Sequence, residues 1–132
     1  MTADSAPAGG LRGVHVVLVS GDGDSCELMK TVLAYAGALV TAADSTRAAL
    51  DIMESVRPDV IVGDLRFGGD DVSRLIREVR KLPALASTPA VAVTSRADRL
   101  RALEAGFQAQ LGAPIDPWEL CDVVARLASP RT

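Results

Sequence analysis

Val14-His15-Val16-Val17-Leu18-Val19, running directly into Ser20-Gly21-Asp22-Gly23-Asp24-Ser25, is the stretch from which the fold of this 132-residue chain can be worked out. A short β-branched, aliphatic run bounded by Ser, Gly and Asp reads as a buried strand entering a turn. Asp24 then precedes a helical pattern, with Glu27 three residues on. That spacing is a capping box, in which each side chain satisfies a backbone N–H left unpaired at the helix start. Leu28, Val32, Leu33 and Ala36 form the expected apolar stripe, and Gly37 stops the helix.

The same strand-turn-helix unit repeats outward from there. Residues 38–43 read as a second strand. Ser45 caps a helix that turns Ala49, Ile52, Met53 and Val56 inward and ends before Pro58. Asp59-Val60-Ile61-Val62-Gly63-Asp64 is a third strand, and after a Gly-Gly loop Leu75, Ile76, Val79 and Leu82 mark a third helix. Residues 89–94 make a fourth strand, 98–105 a short fourth helix and 107–111 a fifth strand. Asp116-Pro117-Trp118-Glu119 opens the last helix, with Pro117 at the first helical position, where a missing N–H costs nothing. Five strands alternating with five helices predict an α/β fold, a doubly wound five-stranded parallel sheet flanked by helices.

Composition agrees. The chain is 48% hydrophobic but only 3% aromatic, so Val, Ile, Leu and Ala must fill the core, as suits a parallel sheet covered on both faces. The net charge of −3 is scattered, with none of the basic patches of a nucleic-acid binder. No apolar run is long enough to cross a membrane, and the first ten residues lack the basic-then-apolar pattern of a signal peptide. A cytoplasmic protein is expected, with a flexible tail over residues 1–12, one domain over 13–129 and a short tail over 130–132. Cys26 and Cys121 lie in helices without a CxxC or Cys/His cluster and read as reduced core residues.

Ligands of such sheets gather beyond the carboxyl ends of the strands. That rule singles out Ser20 to Asp22, Asp44, Asp64 to Asp70, Thr94-Ser95 and Gly112 to Pro114. With these pieces in order, the chain resembles the receiver domains of bacterial two-component systems. The resemblance rests on Arg57-Pro58-Asp59-Val60-Ile61-Val62-Gly63-Asp64 followed by Gly68-Gly69, on Val93-Thr94-Ser95, and on Ala105-Gly106-Phe107 leading to Ala113-Pro114-Ile115-Asp116-Pro117. It covers residues 14–128 and implies the flavodoxin-like receiver architecture.

The resemblance also implies a site. Asp64 takes the place of the phosphoryl-accepting aspartate, and Thr94 that of the hydroxyl that contacts the phosphoryl group. The family's other parts are missing. Counted back from Gly37, the Mg²⁺-binding acid pair falls on Ser20 and Gly21. The lysine position is Ala113, the reporting aromatic is Gln110, and Gly68 stands where the family favours Pro. Asp22 is the one acid near enough to join Asp64 as a metal ligand, so Mg²⁺ is expected to bind weakly if at all, and no other cofactor is implied. Arg66 and Arg96 lie on nearby loops. They read as solvated surface residues, with replacement of the lost cation as the alternative.

Among the other residues, His15 reads as an exposed strand-edge residue. The loop from Ser20 to Ser25 lacks the spacing of a phosphate cradle. Trp118 reads as packing the last helix on the sheet edge. It is also the aromatic anchor nearest the face of fourth helix, fifth strand and fifth helix, through which the family meets partners and through which a homodimer could form. The expected function is that of a single-domain, non-enzymatic response-regulator receiver, a pseudo-receiver that binds another signalling protein: a histidine kinase, a phosphotransfer protein or a downstream effector. Two alternatives stand beside it: a functional receiver phosphorylated on Asp64, and a flavodoxin-like protein binding a nucleotide or flavin.

Overall fold

The computed structural model describes residues 10–67 and 69–128, without the side chains of Gly69, Asp70 and Arg96. Residues 1–9 of the expected N-terminal tail, the expected C-terminal tail over 130–132, Gly68 and Ser129 therefore lie outside the described residues. Strands β1 (His15–Val19), β2 (Leu39–Ala43), β3 (Val60–Asp64), β4 (Ala90–Thr94) and β5 (Ala109–Gly112) alternate with helices α1 (Gly23–Tyr35), α2 (Thr46–Met53), α3 (Gly69–Lys81), α4 (Arg99–Ala105) and α5 (Pro117–Ala128). A 3-10 turn, Arg96–Asp98, leads into α4. All pairings are parallel and the strand order is β2-β1-β3-β4-β5.

Side chains alternate across a strand, so each inner strand feeds two cores. Val16, Leu18, Val60, Val62, Val91 and Val93 face α1 and α5. Val17, Val19, Ile61, Ala90 and Ala92 face the side of α2, α3 and α4. The three inner strands are buried on both faces, as continuous aliphatic runs require.

Two helix starts follow from the sequence as expected. The Ser45 side chain accepts from Ala48 N–H at 3.1 Å, and Asp116 Oδ1 accepts from Trp118 N–H at 2.9 Å. The first helix differs. Its cap is Asp22, whose Oδ2 accepts from Ser25 N–H at 2.9 Å, because β1 ends at Val19 and only Ser20 and Gly21 separate it from the cap. Asp24 is already inside the first turn. The apolar stripe is Met29, Val32, Leu33 and Ala36, with Met29 in it in place of Leu28, which points to solvent. Leu82 lies past the end of α3 and is likewise exposed.

Two further expectations change. Leu11, assigned to the tail, is buried and donates its N–H to Ala36 O at 2.8 Å. His15 sits on an inner strand, half-buried, sharing a 2.8 Å hydrogen bond between Nε2 and Thr41 Oγ1. Both thiols are free, Cys121 buried and Cys26 half-buried. Burial, with a smaller push from Asp122, raises the Cys121 thiol to about 11 and keeps it inert at neutral pH.

Gly63 controls how closely α3 approaches the sheet just before Asp64. A Cβ there would stand 2.7 Å from Val72 Cγ1 and 3.2 Å from Phe107 Cζ. Glycine at this point lets the Phe107 ring and Val72 close over the strand. Gly63→Ala is expected to destabilise the domain by about 1–3 kcal/mol through overpacking, read as a lower urea midpoint at unchanged slope.

Candidate functional site

Three strands deliver the site. Asp64 ends β3, Ser20 follows β1 and Thr94 ends β4, and all three side chains are buried. Asp64 has no exposure at all, and a buried carboxylate is costly unless it is paired and hydrogen-bonded. Here it accepts four bonds. Arg66 Nε donates to Oδ1 at 2.9 Å and Arg66 Nη2 to Oδ2 at 2.9 Å, a two-pronged guanidinium–carboxylate pair. Arg66 N–H adds a bond to Oδ1 at 3.1 Å, and Ser20 Oγ reaches Oδ2 at 3.2 Å.

Arg66 is thus the principal partner of Asp64, and its reading as a solvated surface residue is corrected. Its side chain is only 21% exposed. The guanidinium lies over the Phe67 ring, 5.2 Å from the centroid. The hydrogen bond to Asp64 holds its pKa above the usual value, against the opposing effect of burial. The signal was in the sequence: a carboxylate buried at a strand end needs a positive charge, Ala113 removes the lysine, and Arg66 is two residues away.

Ser20 has one proton to give. Its Oγ lies within reach of Asp64 Oδ2 and, at 3.3 Å, of Asp22 O, while accepting from Asp22 N–H at 3.2 Å. The carboxylate is the stronger acceptor. Asp22 does not turn toward Asp64 as a second ligand. Its side chain caps α1, and the bonds from Ser25 lower its pKa, with a small contribution from Arg66.

The remaining positions are separate from this pair. Thr94 Oγ1 donates to Leu111 O at 3.4 Å on the neighbouring strand. The register sets Asp64 beside Val93, one residue short of Thr94. Gln110 is half-buried. Its Nε2 donates to Arg99 O at 3.1 Å, while its Oε1 is buried without a partner, so the amide is half satisfied instead of wholly unpaired. Gln110, Thr94, Arg99, Leu103 and Gly112 line a cavity of about 350 Å³ between β5 and α4. Ala113 is exposed, with a cis bond to Pro114. Trp118 is half-exposed and leans on Tyr35 of α1, ring centroids 6.3 Å apart. Asp44 lines a larger cleft of about 520 Å³ with Ser20, Gly21, Cys26, Glu27 and Lys30, so that cleft reaches the Ser20 side of the site.

The sequence model described as "Response regulator receiver domain" matches residues 16–125. The chain belongs to the response-regulator receiver domain family. A relative from Leptolyngbya boryana, named as an uncharacterized 14.6 kDa protein in the sodA1 3′ region, is 36% identical over 86% of this chain and 89% of its own length. Among solved structures, a putative response regulator from Chloroflexus aurantiacus is similar at 27% identity and a TM-score of 0.82, covering 87% of this chain and 97% of that one. The receiver domain of a sensor histidine kinase from Pseudomonas aeruginosa PAO1, solved with a magnesium ion in its active site cleft, is similar at 27% identity and a TM-score of 0.81 over 88% and 98%. This chain is a receiver domain of two-component signalling.

Membership implies Mg²⁺ beside the acceptor aspartate, and the residues present do not fit it. Mg²⁺ takes near-octahedral oxygen ligation from one or two carboxylates and several waters. Both oxygens of Asp64 are taken up by Arg66 and Ser20. No group of three or more His, Cys, Asp or Glu among the described residues is placed to hold a metal.

The pair should be strongly coupled. Arg66→Met is expected to cost about 2–3 kcal/mol, somewhat less than breaking a fully enclosed pair because the guanidinium is partly solvated. The double variant Asp64→Asn/Arg66→Met should cost less than the sum of its singles in a urea-denaturation cycle.

Proposed function

We propose that this receiver works by binding another signalling protein, with weak or no Mg²⁺-dependent phosphorylation of Asp64. The observation that carries this reading is the Asp64 carboxylate, fully buried and bonded on both oxygens from within the chain. Phosphoryl transfer is catalysed almost wholly by positioning and by positive charge that meets the transferring group. Ser20 and Gly21 supply no metal-binding acids, Ala113 supplies no ammonium, and the guanidinium nearest the site is already engaged by the acceptor.

Transmission to the far face is weakened by the same set of residues. Thr94 is turned toward Leu111, and Gln110 is fastened to the α4 backbone. A ligand moves a two-state equilibrium only by its differential affinity for the two states, and a side chain already tied to α4 gives little room for one. Partner binding then depends on surface that is always displayed. Leu100 and Leu103 of α4 are about two-thirds exposed beside β5, and they supply apolar contact there, with Trp118 leaning on Tyr35 of α1. A histidine kinase, a phosphotransfer protein or a downstream effector fits this role.

Retention of Asp64 and Thr94 at their strand ends favours the second reading, a receiver that takes phosphate on Asp64. Incubation with acetyl phosphate and Mg²⁺, followed by intact-mass measurement, separates the two. The proposal predicts no Asp64-dependent mass gain. A stoichiometric gain that disappears in Asp64→Asn would replace it with the phosphorelay reading.

A further inference from the structure

The misfit between the site and a divalent ion has a positive counterpart. We propose that Arg66 is the resident counter-cation of Asp64, a tethered guanidinium standing against the carboxylate where relatives would call on a soluble metal ion, so that the pocket is specific for a planar guanidinium cation. The inference deepens the reading of a phosphorylation-independent receiver by naming what satisfies the site.

Four features build the pocket. Arg66 alone supplies three of the four bonds to Asp64, two from the guanidinium edge and one from its own N–H. A flat fork of N–H donors matches a carboxylate in a way a point charge does not. The Phe67 ring lies against the guanidinium, 5.2 Å from its carbon, a surface that suits a planar cation. Ser20 closes the remaining side with a neutral hydroxyl in place of a second negative charge.

The loop after β3 borders the turn after β1. Phe67 O lies over the turn after β1, and a Cβ at Gly21 would stand 3.4 Å from it. That distance is ordinary van der Waals contact, so the Phe67 carbonyl borders position 21 without closing it to a side chain. Tethering the cation two residues from its partner also means that little chain entropy is lost in bringing them together. The pocket is satisfied whatever the metal concentration, and Asp64 is held in one arrangement.

Chemical rescue tests this directly. Arg66→Ala deletes the cation and leaves a carboxylate beside an opening shaped for it. The melting temperature should fall by roughly 10 °C. Millimolar ethylguanidinium should restore part of that loss saturably, whereas ethylammonium, Mg²⁺ and NaCl at matched ionic strength should not. The wild type and Asp64→Asn/Arg66→Ala should show no such response. Restoration by Mg²⁺ equal to or better than that by ethylguanidinium would overturn the proposal, making the pocket a metal site held shut by Arg66. A variant as stable as the wild type would overturn it too.

If Arg66→Ala does not fold, the intact protein still decides. Mg²⁺ titrated into it should leave the amide NMR shifts of Ser20, Gly21, Asp64 and Arg66 unmoved, and saturable shifts there would sink the proposal. Phosphorylation of wild-type Asp64 would defeat the functional reading while leaving guanidinium rescue intact, so the two failures are distinguishable.

Discussion

A carboxylate with no access to water has to be matched by positive charge, and the carboxyl end of this sheet is organised around that demand. Asp64 closes β3 inside the protein, and Arg66 meets it with two guanidinium bonds and a backbone N–H. The loop that carries Arg66 has to fold back over the strand end to do this, which brings Phe67 against the turn after β1. Ser20 then sits under the carboxylate as a hydrogen-bond donor, and Asp22, released from the site, caps α1. The position of α1, and with it one of the two cores, is thus connected to the charge balance at one side chain.

The fold and the site draw on different parts of the sequence. Alternating aliphatic strands and two separate cores depend on burial, which is indifferent to the residues at the strand ends. With Ser20 and Gly21 after β1, no second carboxylate stands at those positions beside Asp64, and a single arginine meets its charge. Gln110 is tied to the α4 backbone, next to a cavity bounded by Thr94 and Arg99. Both ends of the route from the acceptor to the α4 face carry side chains with fixed partners.

Much of this was legible in the sequence, and the exceptions have physical reasons. The strands announced themselves because inner parallel strands are continuous apolar runs. Ser45 and Asp116 were legible as helix caps because each precedes its helix directly. The start of α1 was misplaced by two residues, since Asp22 and Asp24 are equally good caps on paper and only the end of β1 chooses between them. Leu28 is exposed because the buried face runs through Met29, Val32, Leu33 and Ala36. Leu11 and His15 were misjudged because a lone residue beside a tail or at a strand start has no periodicity to reveal what covers it. The positions Asp64, Ser20, Gly21, Gln110 and Ala113 are assigned through the resemblance and their register. Arg66 is legible in the sequence as a candidate replacement for the missing cation, but the loop conformation that selects it over a solvated surface role is not encoded in local pattern.

The claim on which the account rests is that Arg66, and not a metal, neutralises Asp64. A crystal structure of the intact protein grown in millimolar Mg²⁺ tests it most directly. The account predicts the Arg66 guanidinium forked on both oxygens of Asp64, with no cation density beside the carboxylate. A hexacoordinate ion on Asp64, with Arg66 turned out to solvent, would contradict it.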